Sequence, residues 1–131
     1  MSSKIAIIED DPFTQHLYSH LMRKAGYEAF IMEDANLLLK KLEEENIALI
    51  IMDINLRNTY LNEEKINGIQ LSKFIKTHDK YSQIPVILVS AFSMAAEKGN
   101  LLEESLAHHF ITKPITDFNA FIGTIKETML N

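Results

Sequence analysis

Five side chains in this sequence have the types and spacing to work together: Glu9 and Asp10, then Asp53, Ser90 and Lys113. Each closes a short apolar run. Ile5 to Ile8 precedes the acid pair, Ile47 to Met52 precedes Asp53, Val86 to Val89 precedes Ser90, and Phe110 to Thr112 precedes Lys113-Pro114. A run this short and rich in isoleucine fits a strand buried on both faces. Its polar successor then stands at the carboxyl edge of a parallel sheet, where open α/β sheets bind ligands. Acids gathered at one such edge repel one another in a partly desolvated site. The simplest relief is a hard divalent cation, and Mg²⁺ takes a few carboxylates, a carbonyl and waters. Lys113 and the Ser90 hydroxyl suit an oxyanion. A metal, a cation and a hydroxyl around one carboxylate are what phosphoryl transfer onto that carboxylate requires, with Asp53 as the reacting group.

The elements that must position these groups alternate along the chain. Lys4 to Ile8 reads as strand one. Asp11-Pro12 starts a helix, Asp as N-cap and Pro at the first helical position, and Phe13, Leu17 and Leu21 form its apolar stripe. Gly26 stands where a helix C-terminal glycine is expected. Glu28 to Met32 is a less apolar second strand, expected at a sheet edge, and Glu33-Asp34 opens a helix with Leu37, Leu38 and Leu42 inward. Ile47 to Asp53 is strand three. Ile54 to Asn67 is expected as a polar, irregular loop, before a helix from Gly68 with Ile69, Leu71, Phe74 and Ile75 as its apolar side. Val86 to Ser90 is strand four. Helix four lies within Phe92 to Leu106, with Gly99-Asn100 weakening its continuity. His109 to Thr112 is strand five, and Thr116 or Asp117 caps a last helix reaching about Leu130, with Phe118, Phe121, Ile122 and Ile125 as its stripe. Strands joined by helices are parallel, with right-handed crossovers.

With 131 residues, 47% of them hydrophobic, one domain spanning 1–131 is expected. A net charge of −5 argues against a nucleic-acid surface, and cysteine is absent, so there is no thiol or disulfide chemistry. Neither a signal peptide nor a membrane span is visible, so a cytoplasmic protein is expected.

Glu9-Asp10, Asp53, Ser90-Ala91 and Lys113-Pro114, in this order after strands one, three, four and five, resemble the receiver domain of two-component response regulators. The resemblance covers essentially the whole chain. It implies a flavodoxin-like doubly wound sheet of five parallel strands in the order 2-1-3-4-5, with helices on both faces. It implies that Asp53 accepts a phosphoryl group from the phosphohistidine of a histidine kinase or histidine phosphotransferase. Glu9, Asp10, Asp53 and the main-chain carbonyl of Asn55 would hold Mg²⁺. Lys113 would pair with the phosphoryl group, Ser90 would be the switch hydroxyl and Phe110 the switch aromatic. Phosphorylation would then reshape the surface of helix four, strand five and helix five toward a downstream protein, and a dimer formed on phosphorylation is a further outcome the resemblance allows. Phe92, two residues after Ser90, corresponds to a position that tunes the lifetime of the phosphorylated form.

The chain departs from the family pattern in three places. Arg57 stands where the family usually has proline. Gly68 comes fifteen positions after Asp53, roughly seven more than such a connection needs. The extra stretch, about Asn58 to Ile66, fits either a lid or partner contact beside the acid or a tolerated surface insertion. Leu106 to His109 replace the glycine usual before strand five.

An acid at a strand end is often only a cap or turn former, and Asp53 alone would carry that reading. The acid pair and Lys113-Pro114 in register overturn it. His16 and His20, four apart on one helix, could share a metal, but with no third ligand evident they read as a solvated face. His108-His109 likewise belongs at the surface. Two other functions compete. A haloacid-dehalogenase-like phosphatase also uses a strand-end Asp and Mg²⁺, but needs a second acid where this chain has Asn55. A receiver-like binding module that is never phosphorylated would have lost the acid pair or the lysine, and both are present.

Overall fold

Alternating isoleucines, leucines and valines let every central strand bury both faces. The computed structural model describes residues 4–91 and 96–130. In chain order the elements are β1 (Lys4–Ile8), α1 (Pro12–Ala25), β2 (Glu28–Met32), α2 (Ala35–Glu44), β3 (Ile47–Asp53), β4 (Tyr60–Leu61), β5 (Glu64–Lys65), α3 (Gly68–Thr77), β6 (Val86–Ala91), α4 (Lys98–Ser105), β7 (His109–Lys113) and α5 (Phe118–Leu130). Five strands form one sheet in the order β2-β1-β3-β6-β7, all parallel. This is the doubly wound order expected, with β6 and β7 as the fourth and fifth strands of the sheet.

The period-two alternation sorts β3 between two cores. Ile50 and Met52 join Ala6, Ile8 and Leu88 under α2 and α3, where Leu38, Leu71 and Ile75 meet them. Leu49 and Ile51 join Ile5, Ile7, Ile87 and Val89 under α1 and α5, against Tyr18, Leu21, Phe121 and Ile125. Helices on both faces follow from this two-sided burial, and β2 lies at one edge as its polarity predicted.

Several predicted stripes are rotated. In α1 the buried face is Tyr18, Leu21 and Met22, while Phe13 is 78% exposed. At 3.6 residues per turn Phe13 lies roughly 135° round the helix from that face. Leu37 is displaced in the same way from Ala35, Leu38 and Leu42, and it too is exposed. Phe74 and Phe118 are partly exposed rather than inward. Apolar type marked these positions, but the direction of the sheet chose among them.

The connection after β3 is not irregular, contrary to expectation. It holds an antiparallel hairpin, Tyr60 paired with Lys65 and Leu61 with Glu64. Asn62 and Glu63 supply positive φ at both turn positions (50° and 72°), the geometry of a two-residue hairpin turn. Ile54, Leu56, Thr59 and Leu61 are buried, so the insertion packs onto the domain. Helix α4 begins at Lys98, so Gly99-Asn100 falls in its first turn rather than in its middle. Its C-cap is Leu106 at φ 63°, a left-handed conformation that glycine usually supplies at a helix end. Among the described residues no helix is long and apolar enough to cross a membrane.

Candidate phosphoryl-accepting site

The end of β1 fixes the first acid. Glu9 N–H donates to the Met32 carbonyl at 2.9 Å, and the Glu9 carbonyl accepts from Gln15 Nε2 at 2.6 Å. These bonds turn the Glu9 side chain into the sheet edge, where it is fully buried. Asp10 follows on the rim, and Asp11 caps α1, accepting from Thr14 N at 2.9 Å and from the Thr14 hydroxyl at 2.7 Å. That double capping holds the Asp11 carboxyl below the usual aspartate range. It also commits Asp11 to the helix and leaves Glu9 and Asp10 to the cleft.

Asp53 ends β3 and is 3% exposed. Its Oδ1 accepts from Asn55 N at 3.2 Å. Gly68 sets its backbone from behind: a Cβ there would lie 2.0 Å from the Asp53 carbonyl oxygen. The start of α3 therefore sits directly on the last peptide of β3, and Gly68 N–H donates to the Ile54 carbonyl at 3.2 Å. Asn67 and Gln70 close a reciprocal capping box that holds this helix start in place.

Lys113 comes in from the end of β7. Its ammonium lies 2.7 Å from Glu9 Oε1 and 3.4 Å from Asp53 Oδ2. The peptide to Pro114 is cis. Glu9, Asp10 and Asp53 each offer a carboxylate oxygen, and these lie within 4.8 Å of one another. Burial, then the neighbouring Asp53, push the Glu9 carboxyl up to about 7, against the opposing pull of Lys113. Burial draws the Lys113 ammonium down, but Glu9 and Asp53 outweigh it and hold it above the ordinary lysine value.

Three carboxylates on one cation leave negative charge in excess. The donors are hard oxygens with room between them, so the set fits a divalent cation of the Mg²⁺ type. The cleft is lined further by Asn55, Arg57, Asn58 and Glu33.

The structure thus brings together Glu9, Asp10, Asp53, Asn55 and Lys113. Ser90 and Phe110 do not line that cleft. Ser90, paired in register with Thr112, is fully buried, and its hydroxyl has no hydrogen-bond partner among the described residues. Phe110 is half-buried opposite Leu88, against the α2–α3 core. Phe92 lies outside the described residues. His16 and His20 are exposed on α1, and His108 is exposed with Nδ1 accepting from Val86 N at 3.3 Å. Sequence reasoning missed one contact that bears on the acids. Arg57 N–H donates to Asp10 Oδ2 at 2.8 Å. A main-chain bond across 47 positions leaves no trace in residue type.

The parallel order, the acid triad and the converging lysine define a receiver-type domain. The response regulator receiver domain family matches residues 5–125, and the chain belongs to it. The polar-differentiation response regulator DivK of Brucella anthropi is 30% identical over 126 residues, covering 96% of this chain and 95% of that protein. DivK of Brucella ovis is 29% identical over the same length and coverage. Solved structures agree in fold. The receiver domain of a sensor histidine kinase from Pseudomonas aeruginosa PAO1, with a magnesium ion coordinated in its active site cleft, has a TM-score of 0.82 at 18% identity, and each chain is covered completely. The chemotaxis protein CheY4 of Vibrio cholerae has a TM-score of 0.82 at 20% identity, over 98% of this chain and 99% of that one. None of these likenesses supports the phosphatase alternative.

Proposed function

We propose that this receiver accepts a phosphoryl group on Asp53 from the phosphohistidine of a histidine kinase or histidine phosphotransferase. The observation that carries the reading is the convergence of one ammonium on two buried carboxylates, 2.7 Å from Glu9 and 3.4 Å from Asp53, beside a third acid. An Asp53 carboxylate oxygen attacks phosphorus, the new O–P bond forms, and the P–N bond breaks with its electron pair leaving on the imidazole nitrogen. Lys113 stays charged throughout and faces the oxygens that gain charge. Glu9, Asp10, Asp53 and the Asn55 carbonyl would hold Mg²⁺, which would supply charge to neutralise the phosphoryl oxygens. The magnesium in the cleft of the Pseudomonas receiver supports that assignment. The main chain at Asn55 and Gly68 keeps the Asp53 carboxylate aimed outward into the cleft. The same groups serve hydrolysis of the acyl phosphate, so the domain catalyses both its own phosphorylation and its dephosphorylation.

The output follows from the Ser90 hydroxyl. Phosphorylation supplies an acceptor near the end of β6, Ser90 turns toward it, and Phe110 moves into the space released. The surface of α4, β7 and α5 changes as a result and is read by a protein target in the cytoplasm, without direct contact to nucleic acid. Residues 1–131 act as one receiver domain.

The test is Mg²⁺-dependent phosphorylation by a panel of histidine kinases, read by intact mass and mapped by peptide. One phosphoryl group on Asp53 is expected, lost in Asp53→Asn and on chelation of the metal. Labelling that survives either change overturns the assignment.

A further inference from the structure

The insertion between β3 and α3 is tied to the domain at both of its ends and in its middle. Gly68 seats its far end on the Asp53 carbonyl. Buried Thr59 donates its hydroxyl to the Glu33 carbonyl at 2.8 Å, and Asn36 Nδ2 reaches the Tyr60 carbonyl at 3.4 Å. Ile66 N–H donates to the Thr59 carbonyl at 2.9 Å, closing the base of the hairpin. Arg57 stands two residues before Thr59. There its N–H, not its side chain, meets Asp10 Oδ2 at 2.8 Å.

We infer that the Arg57 main-chain N–H is a positioning group for Asp10, through which the hairpin insertion sets the cation affinity of the site. The inference rests on the metal reading above and deepens it. Asp10 is the half-buried acid of the three, on the rim, and among the described residues no cation pairs with it, whereas Lys113 anchors both Glu9 and Asp53. A rim carboxylate without a partner samples several rotamers and loses that freedom when it binds a metal. An N–H on Oδ2 fixes the rotamer beforehand and leaves Oδ1 for the cation. Outer hydrogen bonds of this kind to ligating groups typically change metal affinity by about 10–100-fold when removed. The guanidinium has a separate effect: Arg57 lines the same cleft, and its positive charge opposes a second cation.

The two contributions separate by substitution. Mg²⁺ affinity is measured by calorimetry on the whole chain, with no phosphoryl donor present. Arg57→Ala keeps the N–H and removes the charge, and it should bind Mg²⁺ as tightly as the wild type or more tightly. Arg57→Pro removes both, and it should bind about tenfold more weakly than Arg57→Ala. A folded Arg57→Pro protein within twofold of Arg57→Ala overturns the inference while leaving the metal site intact. Wild-type protein that binds no Mg²⁺ overturns the metal reading and this inference with it. Should Arg57→Pro fail to fold, amide exchange of the wild type decides. The Arg57 amide should exchange slowly and lose that protection in Asp10→Ala; an unprotected Arg57 amide overturns the inference.

Discussion

Gly68→Ala tests whether the start of α3 really braces the reacting acid. A Cβ at Gly68 would sit 2.0 Å from the Asp53 carbonyl oxygen and 2.8 Å from both the Asp53 carbonyl carbon and Ile54 Cα. Real Cβ contacts do not fall below 3.0 Å, so something must move by about 1 Å. Every atom met is main chain at the end of β3, so no flexible side chain can absorb the shift. Overpacking of this kind costs about 1–3 kcal/mol, against at most about 1 kcal/mol gained from replacing glycine by alanine in a helix. The net loss is about 2 kcal/mol at the upper end. At about 2.1 cal/mol/K per residue, 131 residues unfold with an entropy of about 0.28 kcal/mol/K, so Tm should fall by up to about 7 °C. Function should suffer more than stability, because a displacement of about 1 Å at a reacting group costs on the order of 10²-fold in rate. Gly123→Ala is the control. It lies within α5, and a Cβ added there would meet nothing within 4 Å, so the substitution should raise Tm by a few degrees and leave phosphorylation untouched. Thermal unfolding and the initial rate of Asp53 phosphorylation are measured side by side. If Gly68→Ala matches the wild type in both, the brace does not exist.

Glu9 gives the site a pH dependence. Its carboxyl is pushed up to about 7 from an ordinary value of 4.5, so in the metal-free protein it keeps its proton across the interval in which the unfolded chain has lost it. Its contribution to stability is therefore full below about pH 4.5 and is lost as pH rises toward 7. That proton must leave before the group can ligate a cation, so Mg²⁺ affinity should rise by about tenfold from pH 6 to pH 8 and then level off. Calorimetry at the two pH values checks this, and an affinity independent of pH refutes it. Leu106→Gly should stabilise the domain. The left-handed conformation at φ 63° costs a side-chain-bearing residue about 1–2 kcal/mol, glycine returns about 0.5–1 kcal/mol of that as chain entropy, and the leucine is 45% exposed, so only part of a side chain's burial is lost against that gain. A small rise in Tm, of at most about 3 °C, is expected; a fall would mean that Leu106 packing matters more than its backbone.

Much of the site is legible in the sequence because its chemistry sits where strands end. An apolar run stops at a polar residue, and in a parallel sheet all such stops fall on one edge, so residue order alone gathers Glu9, Asp10, Asp53 and Lys113. Local cap chemistry is equally plain: Asp11-Pro12 and Gly26 do what their types suggest. Helix faces are less legible, since Phe13 and Tyr18 are both apolar enough to be buried and only the direction of the sheet decides between them. The insertion is the least legible. Asn62-Glu63 is a weak turn signal, and the strands on either side are two residues long. What makes the hairpin rigid is Thr59 on a carbonyl of the β2–α2 turn and Arg57 N–H on a carboxylate. Neither contact depends on a pattern within the insertion itself.

The two kinds of contact divide the labour at this site. Side chains placed by strand ends supply the charge, and charge alone would drive the three acids apart. Main-chain groups hold them at working distance: the Met32 carbonyl for Glu9, the Arg57 N–H for Asp10, and the Asn55 N–H with the close seat of Gly68 for Asp53. Lys113 offsets the repulsion only between Glu9 and Asp53, the two acids it touches. Asp10 depends instead on the insertion. The longest departure from the family pattern is therefore attached to the acid with the weakest electrostatic support. Changes within residues 58–66 should act on cation affinity before they act on the nucleophile.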